Sequence, residues 1–192
     1  MEQPLRTIDK QALSVLEAER FTGRIEIVQT PAQAEKALRF LMEQPVVGFD
    51  TETRPNFRKG DSHKVALMQL STDSICFLIR TNRLGLFPAL REFLEAESVM
   101  KIGLSTKDDF HGLRKLAAVE PRGFVELQEL VKRHGIGEAS LTKIYALMFG
   151  KRISKAQRLT NWEAPELTEA QQRYAALDAW ACLRIYNEIL KD

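Results

Sequence analysis

The chain has 192 residues, 44% of them hydrophobic and 28% charged, with a formal net charge of +2. This balance supports one buried core and excludes a disordered or low-complexity chain, and no apolar run approaches the roughly 20 residues of a membrane-spanning helix. The charge is too small for a protein held on duplex nucleic acid mainly by counterion release, so any grip on nucleic acid must be local.

In chain order, residues 1–21 mix polar and apolar positions at roughly helical spacing and are expected to form a short helical arm. Residues 24–29 alternate Ile25 and Ile27 with polar neighbours, as a half-buried strand does. Thr30 stands where an N-cap belongs, and Pro31 opens a helix running to about Met42. Three strand-like stretches follow, at residues 46–49, 64–71 and 74–79, with turn residues Asn56 and Gly60 in the first gap and Thr72 and Asp73 in the second. A helix is expected over residues 86–97 and a strand over 99–104. Ser105 and Thr106 are then candidate caps for a helix over residues 107–118. Further helices are expected over 126–134 and 141–149, then a basic connector over 151–161 and a last helix starting near Thr168. Strands grouped early, a crossover helix and a helical C-terminal half predict an α/β fold, a mixed β-sheet flanked by helices. The whole chain, residues 1–192, is expected to be one domain with an N-terminal arm (1–21) and a core (24–190). Cys76 and Cys182 lie in apolar segments without metal or redox spacing and are expected as free buried thiols. No targeting pattern opens the sequence, so a soluble, cytoplasmic protein with no membrane partner is expected.

Three segments carry carboxylates. In residues 46–52, strand geometry sends Asp50 and Glu52 to the same side. Such a pair alone is more often a solvated turn than a metal site. In the helix after residue 106, a buried stripe of Phe110, Leu113, Leu116 and Ala117 takes in Asp109, while Asp108 falls with Gly112 and Lys115 and suits a helix N-terminus. The adjacent aspartates leave a one-residue ambiguity that the helix boundary decides. In the last helix, Thr168 and Gln171 have capping-box spacing, which sets the phase so that Asp178 falls on the core stripe of Tyr174, Ala181 and Ile185. A buried carboxylate there is costly unless paired. Taken together, the acidic groups occupy inward or paired positions, and no basic residue shares their stripes, so an added positive species must neutralise them. Oxygen ligands without a His or Cys cluster favour hard cations, Mg²⁺ or Mn²⁺. Two such ions about 4 Å apart can stabilise both the attacking and the leaving oxygen of a phosphodiester displacement.

These segments resemble the DEDD exonucleases of the DnaQ-like, ribonuclease-H-like superfamily, in the branch with tyrosine in its third motif, to which the exonuclease domains of ribonuclease D and the Werner-syndrome helicase belong. The resemblance rests on residues 47–52 (VGFDTE), residues 101–104 (KIGL) leading to Asp109 and Leu113, and residues 174–179 (YAALDA). Residues 66–71 (ALMQLS), Asn161, Trp162 and Glu163, and Leu167, Thr168 and Gln171 support it. It runs from about residue 25 to residue 190, and the motifs, weak separately, are specific in this order and spacing.

The resemblance implies a ribonuclease-H-like fold and a two-metal-ion 3′→5′ exonuclease releasing nucleoside monophosphates from single-stranded or frayed 3′ ends of DNA or RNA. It implies that Asp50, Glu52 and Asp178 hold one ion, and that Asp50 bridges to a second whose shell includes Asp109, directly or through water. Tyr174, one turn before Asp178, would orient the attacking water and help to deprotonate it. Arg54, Arg58, Lys59 and Lys64, and Lys151, Arg152, Lys155 and Arg158, are basic residues near these motifs. Lys155 and Arg158 are the preferred phosphate contacts because their connector leads into the Trp162 segment. His63, His111 and His134 share no spacing and receive no catalytic role. The relatives carry additional nucleic-acid-binding or motor domains for which 192 residues leave no room, so weak intrinsic substrate binding or delivery by a protein partner is expected. The alternatives are a catalytically silent module of the same fold that grips a nucleic-acid end or a partner, and a ribonuclease-H-like endonuclease.

Overall fold

The computed structural model describes residues 5–58 and 60–191. Its elements are α1 (Lys10–Ser14), β1 (Arg24–Val28), α2 (Pro31–Met42), β2 (Val46–Thr53), β3 (Val65–Ser71), β4 (Ile75–Ile79), α3 (Thr81–Leu84), α4 (Pro88–Glu95), β5 (Met100–Gly103), α5 (Thr106–Arg114), β6 (Phe124–Glu126), α6 (Leu127–Arg133), α7 (Leu141–Phe149) and α8 (Glu169–Ile189). The strands form one mixed sheet in the order β1-β4-β3-β2-β5-β6. β3 runs antiparallel to both neighbours, and the other pairs are parallel. This is the α/β sheet flanked by helices that the sequence predicts. None of the described helices is long and apolar enough to cross a membrane.

All seven residues of β3 are buried, because both faces of the sheet are covered. Leu67 and Leu78 point toward a core shared with α6, α7 and α8. Their alternating neighbours Met68, Leu70, Phe77 and Ile79 pack with α2 and α4. Cys76 and Cys182 are free and buried, as expected.

Two helices start where the sequence predicts: Thr30 caps α2, in a capping box with Gln33 that was not foreseen, and Thr168 forms the expected capping box with Gln171 on α8. α8 then crosses β2 at very short range. A side chain at Gly48 would put its Cβ 1.9 Å from the Ala179 carbonyl oxygen, so only glycine admits this approach. That contact brings the residue before Ala179, Asp178, against β2.

Several expectations are corrected. The arm is helical only over Lys10–Ser14; Arg6 and Ala18 instead make isolated bridges to Ile136 and Arg152. Residues 1–4 lie outside the described residues. α5 ends at Arg114, short of residue 118, and neither Ser105 nor Thr106 caps it with a side chain. The Glu126 carboxylate does so, accepting from the Ser105 and Thr106 amides at 2.9 and 2.7 Å. Glu126 itself ends a strand, β6, where a helix was expected to begin. β2 runs on to Thr53, beyond residue 49, because its polar end still pairs with β3. α3 was not anticipated, since its four residues are too few to show a period.

Candidate metal centre

Asp50 and Glu52 project from β2 on the face that carries Gly48, toward α8. Across the antiparallel ladder they stand opposite Gln69 and Leu67, and a register shift after Glu52 ends the regular pairing. From α8, Asp178 enters the same space with only 8% of its surface exposed. Among the described residues, Asp50, Glu52 and Asp178 each offer an oxygen, all within 4.8 Å of one another. The sequence assigned these residues to one ion by resemblance, and the fold brings them together.

Asp109 approaches from α5. Its carboxylate accepts a hydrogen bond from the Thr51 hydroxyl, and its charge is felt at Glu52, as that of Asp50 is at Asp109. Asp108 is exposed and Asp109 half-buried, which settles the ambiguity between them in favour of the inward phase. Tyr174, one turn before Asp178 on α8, brings its hydroxyl near enough to stabilise the Asp178 carboxylate and packs its ring 5.9 Å from the fully buried Trp162.

Burial raises the proton affinity of every member, and the charge of neighbouring carboxylates adds to it at Asp50, Glu52 and Asp109. The Glu52 carboxyl is pushed up to about 10 by burial and by the charges of Asp50, Asp178 and Asp109, against the pull of Arg158. Asp109 is pushed up to about 8 by burial and then by the charge of Asp50. Asp178 rises to about 7 through burial, held back by the neighbouring Tyr174 hydroxyl and by the charge of Lys155. Asp50 stands well above the carboxylate range, through burial and the charge of Asp178. Burial also raises the Tyr174 phenol. Asp178 Oδ1 is buried without a hydrogen-bond partner. An all-oxygen donor set, an orphaned buried oxygen and a local excess of negative charge fit a hard divalent cation.

Of the sequence's basic candidates, Lys155 and Arg158 are exposed on the connector between α7 and α8, and their charges reach Asp178 and Glu52 respectively. Others are engaged elsewhere. Arg54 pairs with Glu163 at 3.3 Å, Lys151 with Glu19 at 3.3 Å, and Arg152 donates to the Leu16 carbonyl at 3.0 Å. Arg58 and Lys64 are exposed, and Lys59 lies outside the described residues. His63 bonds to Glu163 at 3.1 Å, so Glu163 joins the loop after β2 to the connector.

Sequence reasoning missed several parts of this neighbourhood. Thr51 orients Asp109, and Arg80, fully buried at the end of β4, donates to the Ala164 carbonyl and fixes the Trp162 segment. Gln69, opposite Asp50, is fully buried with both amide atoms unpaired. A glutamine inside the otherwise apolar run ALMQL was the available signal for the last.

A family model for 3′-5′ exonucleases matches residues 25–192. The chain is 34% identical over 155 residues to the mouse bifunctional 3′-5′ exonuclease/ATP-dependent helicase WRN, covering 78% of this chain and 11% of that protein. It is 30% identical over 191 residues to a 3′-5′ exonuclease of Arabidopsis thaliana, covering 91% of this chain and 66% of the relative. Among solved structures, the Nibbler EXO domain of Aedes aegypti superposes with a TM-score of 0.80 at 24% identity, covering 91% of this chain and 92% of that one. Escherichia coli RNase D does so with a TM-score of 0.79 at 21% identity, covering 88% of this chain and 44% of that one. At these identities the structural matches establish the shared α/β fold, and the match over residues 25–192 establishes the rest: the chain belongs to the 3′-5′ exonuclease family.

Proposed function

We propose that this chain is an active, metal-dependent 3′→5′ exonuclease that removes nucleoside monophosphates from single-stranded or frayed 3′ ends. The observation that carries this reading is the convergence of Asp50, Glu52 and Asp178, with Asp109 beside them and no ion pair to any of the four among the described residues. Asp50, Glu52 and Asp178 would hold one Mg²⁺ or Mn²⁺, and Asp50 with Asp109 a second. When bound, such ions lower the pKa of water and neutralise charge developing on the attacking and leaving oxygens.

The chain's own residues supply the remainder. The Tyr174 hydroxyl, near Asp178, could accept a hydrogen bond from an attacking water or donate one to the scissile phosphate, and burial keeps it protonated at neutral pH. Thr51 holds Asp109 in its rotamer by a hydrogen bond. Trp162, packed on Tyr174, limits movement of the phenol ring. Lys155 and Arg158, exposed on the connector and near enough for their charges to be felt at Asp178 and Glu52, would meet the phosphates of the incoming strand, a local grip consistent with a net charge of only +2.

A time course on matched DNA and RNA strands labelled at the 5′ end, with and without chelator, tests the reading. Stepwise shortening from the 3′ end that stops on chelation is expected, and the comparison of strands reports sugar preference. Internal cuts would move the assignment to an endonuclease. No shortening in Mn²⁺ by folded protein would move it to a silent binding module.

A further inference from the structure

The family match begins at residue 25, leaving the N-terminal arm outside it. Yet the arm is bonded along its described length to the helical half of the molecule. Near its start, the Arg6 amide donates to the Gly135 carbonyl at 2.7 Å, the Gly137 amide to the Arg6 carbonyl at 2.9 Å, and the Ile8 amide to Glu138 at 3.0 Å. Further along it makes a short ladder with the beginning of the connector. The Glu19 amide donates to the Arg152 carbonyl and the Arg152 amide to the Glu17 carbonyl, both at 2.9 Å.

Glu19 locks this junction. Its side chain is 8% exposed and accepts from the Tyr145 hydroxyl at 2.8 Å, Arg184 at 2.7 Å and Lys151 at 3.3 Å. These partners come from α7, α8 and the connector, so one carboxylate ties three parts of the molecule. Arg184 in turn lies 4.3 Å over the Phe149 ring, and Phe21 is buried against Trp180 at 5.8 Å. Beyond Arg152 the connector turns through Lys155 and Arg158. Its far end is held again where Gln171 donates to Thr160 and to the Asn161 carbonyl, at 2.9 and 3.2 Å. Between arm, turn and α8 lies a cavity of about 550 Å³ whose walls include Phe21, Gln157 and Leu177 and which reaches Tyr174. The cationic turn is thus a span fixed at both ends, with one anchor supplied by the arm.

We propose that the arm is a positioning element for substrate: by fixing Arg152 it sets where the connector holds Lys155 and Arg158, and so pre-organises the phosphate grip. This rests on the reading above that the connector's cations meet the strand. A tethered cation loses less conformational freedom on binding than one on a free loop, so the tether acts on affinity for a strand and leaves the chemistry at the carboxylates alone.

The test uses Glu19→Gln in the full chain, and Arg184→Met, which loosens the same junction while keeping an apolar stem over Phe149 and leaving every connector charge in place. Three measurements are made: anisotropy of a labelled single strand of about 12 nucleotides in Ca²⁺, kcat and KM on that strand in Mn²⁺, and hydrolysis of the p-nitrophenyl ester of thymidine 5′-phosphate. The expected result is a Kd and KM raised about five-fold, the size of a modest coupling between contacting groups, with kcat and ester hydrolysis unchanged. In a Lys155→Gln/Arg158→Gln background, Glu19→Gln should add nothing, since the groups through which it acts are gone. An unchanged Kd in a folded variant, or the same added loss in that background, would overturn the proposal. Should Glu19→Gln fail to fold, Arg184→Met decides. If the wild-type protein shortens no strand, the exonuclease reading fails, while the anisotropy still decides the role of the arm.

Discussion

Lys101 and Asp178 are both buried charges packed against the same sheet, and they are answered in different ways. Lys101 leaves β5 on the face covered by α4. There its ammonium donates to the Phe93 carbonyl at 3.3 Å and to the Ala96 carbonyl, at the C-terminal end of α4, and sits 5.5 and 5.1 Å over the rings of Phe93 and Phe124. The chain itself supplies partners for that charge, which fastens a helix to the sheet. On the opposite face Asp50, Glu52 and Asp178 crowd together, and Asp178 Oδ1 has no partner at all. A buried charge neutralised by its own chain is architecture. A buried set of like charges left unneutralised is a demand for something from outside, and that contrast marks the functional face.

Substitutions should break the symmetry of this comparison. Asp50→Ala or Asp178→Ala is expected to lower metal-dependent hydrolysis by about 10³-fold or more, the several kcal/mol that metal-ion catalysis contributes. The same variants, freed of a repelling neighbour, should melt no lower than wild type in chelator. Turnover at the wild-type rate by a folded variant would remove that residue from the site. Tyr174→Phe keeps every carboxylate and should cost about 10²-fold, within the range of proton-transfer assistance. Calorimetric Mn²⁺ titration of that variant should match wild type, and a parallel loss of metal would recast Tyr174 as a structural support.

The two faces should also titrate with opposite sign. In chelator, burial pushes the Asp178, Asp109 and Glu52 carboxyls up to about 7, 8 and 10, from ordinary values of 3.8, 3.8 and 4.5. The native state therefore holds protons that the unfolded state has released. Stability is full below about 4 and falls as pH rises toward those folded values. Divalent cation should relieve the fall, because it binds the deprotonated ligands. Lys101, lowered by burial from 10.5 to about 8, does the reverse and adds stability as pH rises between those values. A denaturation midpoint that is flat or rising from pH 5 to 7 in chelator would contradict the carboxylate half. Lys101→Met should have the smallest effect on function. It leaves the Ala96 carbonyl short of a donor, while the Phe93 carbonyl keeps the Ala96 amide, a change of about 1–3 kcal/mol in stability, with Mn²⁺ affinity and turnover at wild-type values.

Much of the site was legible because its parts lie on regular elements. The period of two along β2 puts Asp50 with Glu52, and the capping box on α8 fixes the phase that turns Asp178 inward. The stripe on α5 separates Asp109 from Asp108. Each of these is a local periodicity, which a sequence displays directly. The arm was illegible for the opposite reason: its extended residues follow no period and are held by bonds to residues more than a hundred positions away, as Glu19 is to Tyr145 and Arg184.

The sequence by itself determined the order of the elements apart from α3 and β6, the inward direction of the acidic side chains and, through its motifs, the family. Only the tertiary structure decided that Thr51 orients Asp109, that Glu126 caps α5, that Arg54 is spent on Glu163 while the charges of Lys155 and Arg158 reach the carboxylates, and that Gln69 lies unpaired opposite Asp50. Direction along a strand or helix is set by bonds between near neighbours and can be counted off. Partnership between side chains on different elements is set by packing, which brings together residues that no spacing connects.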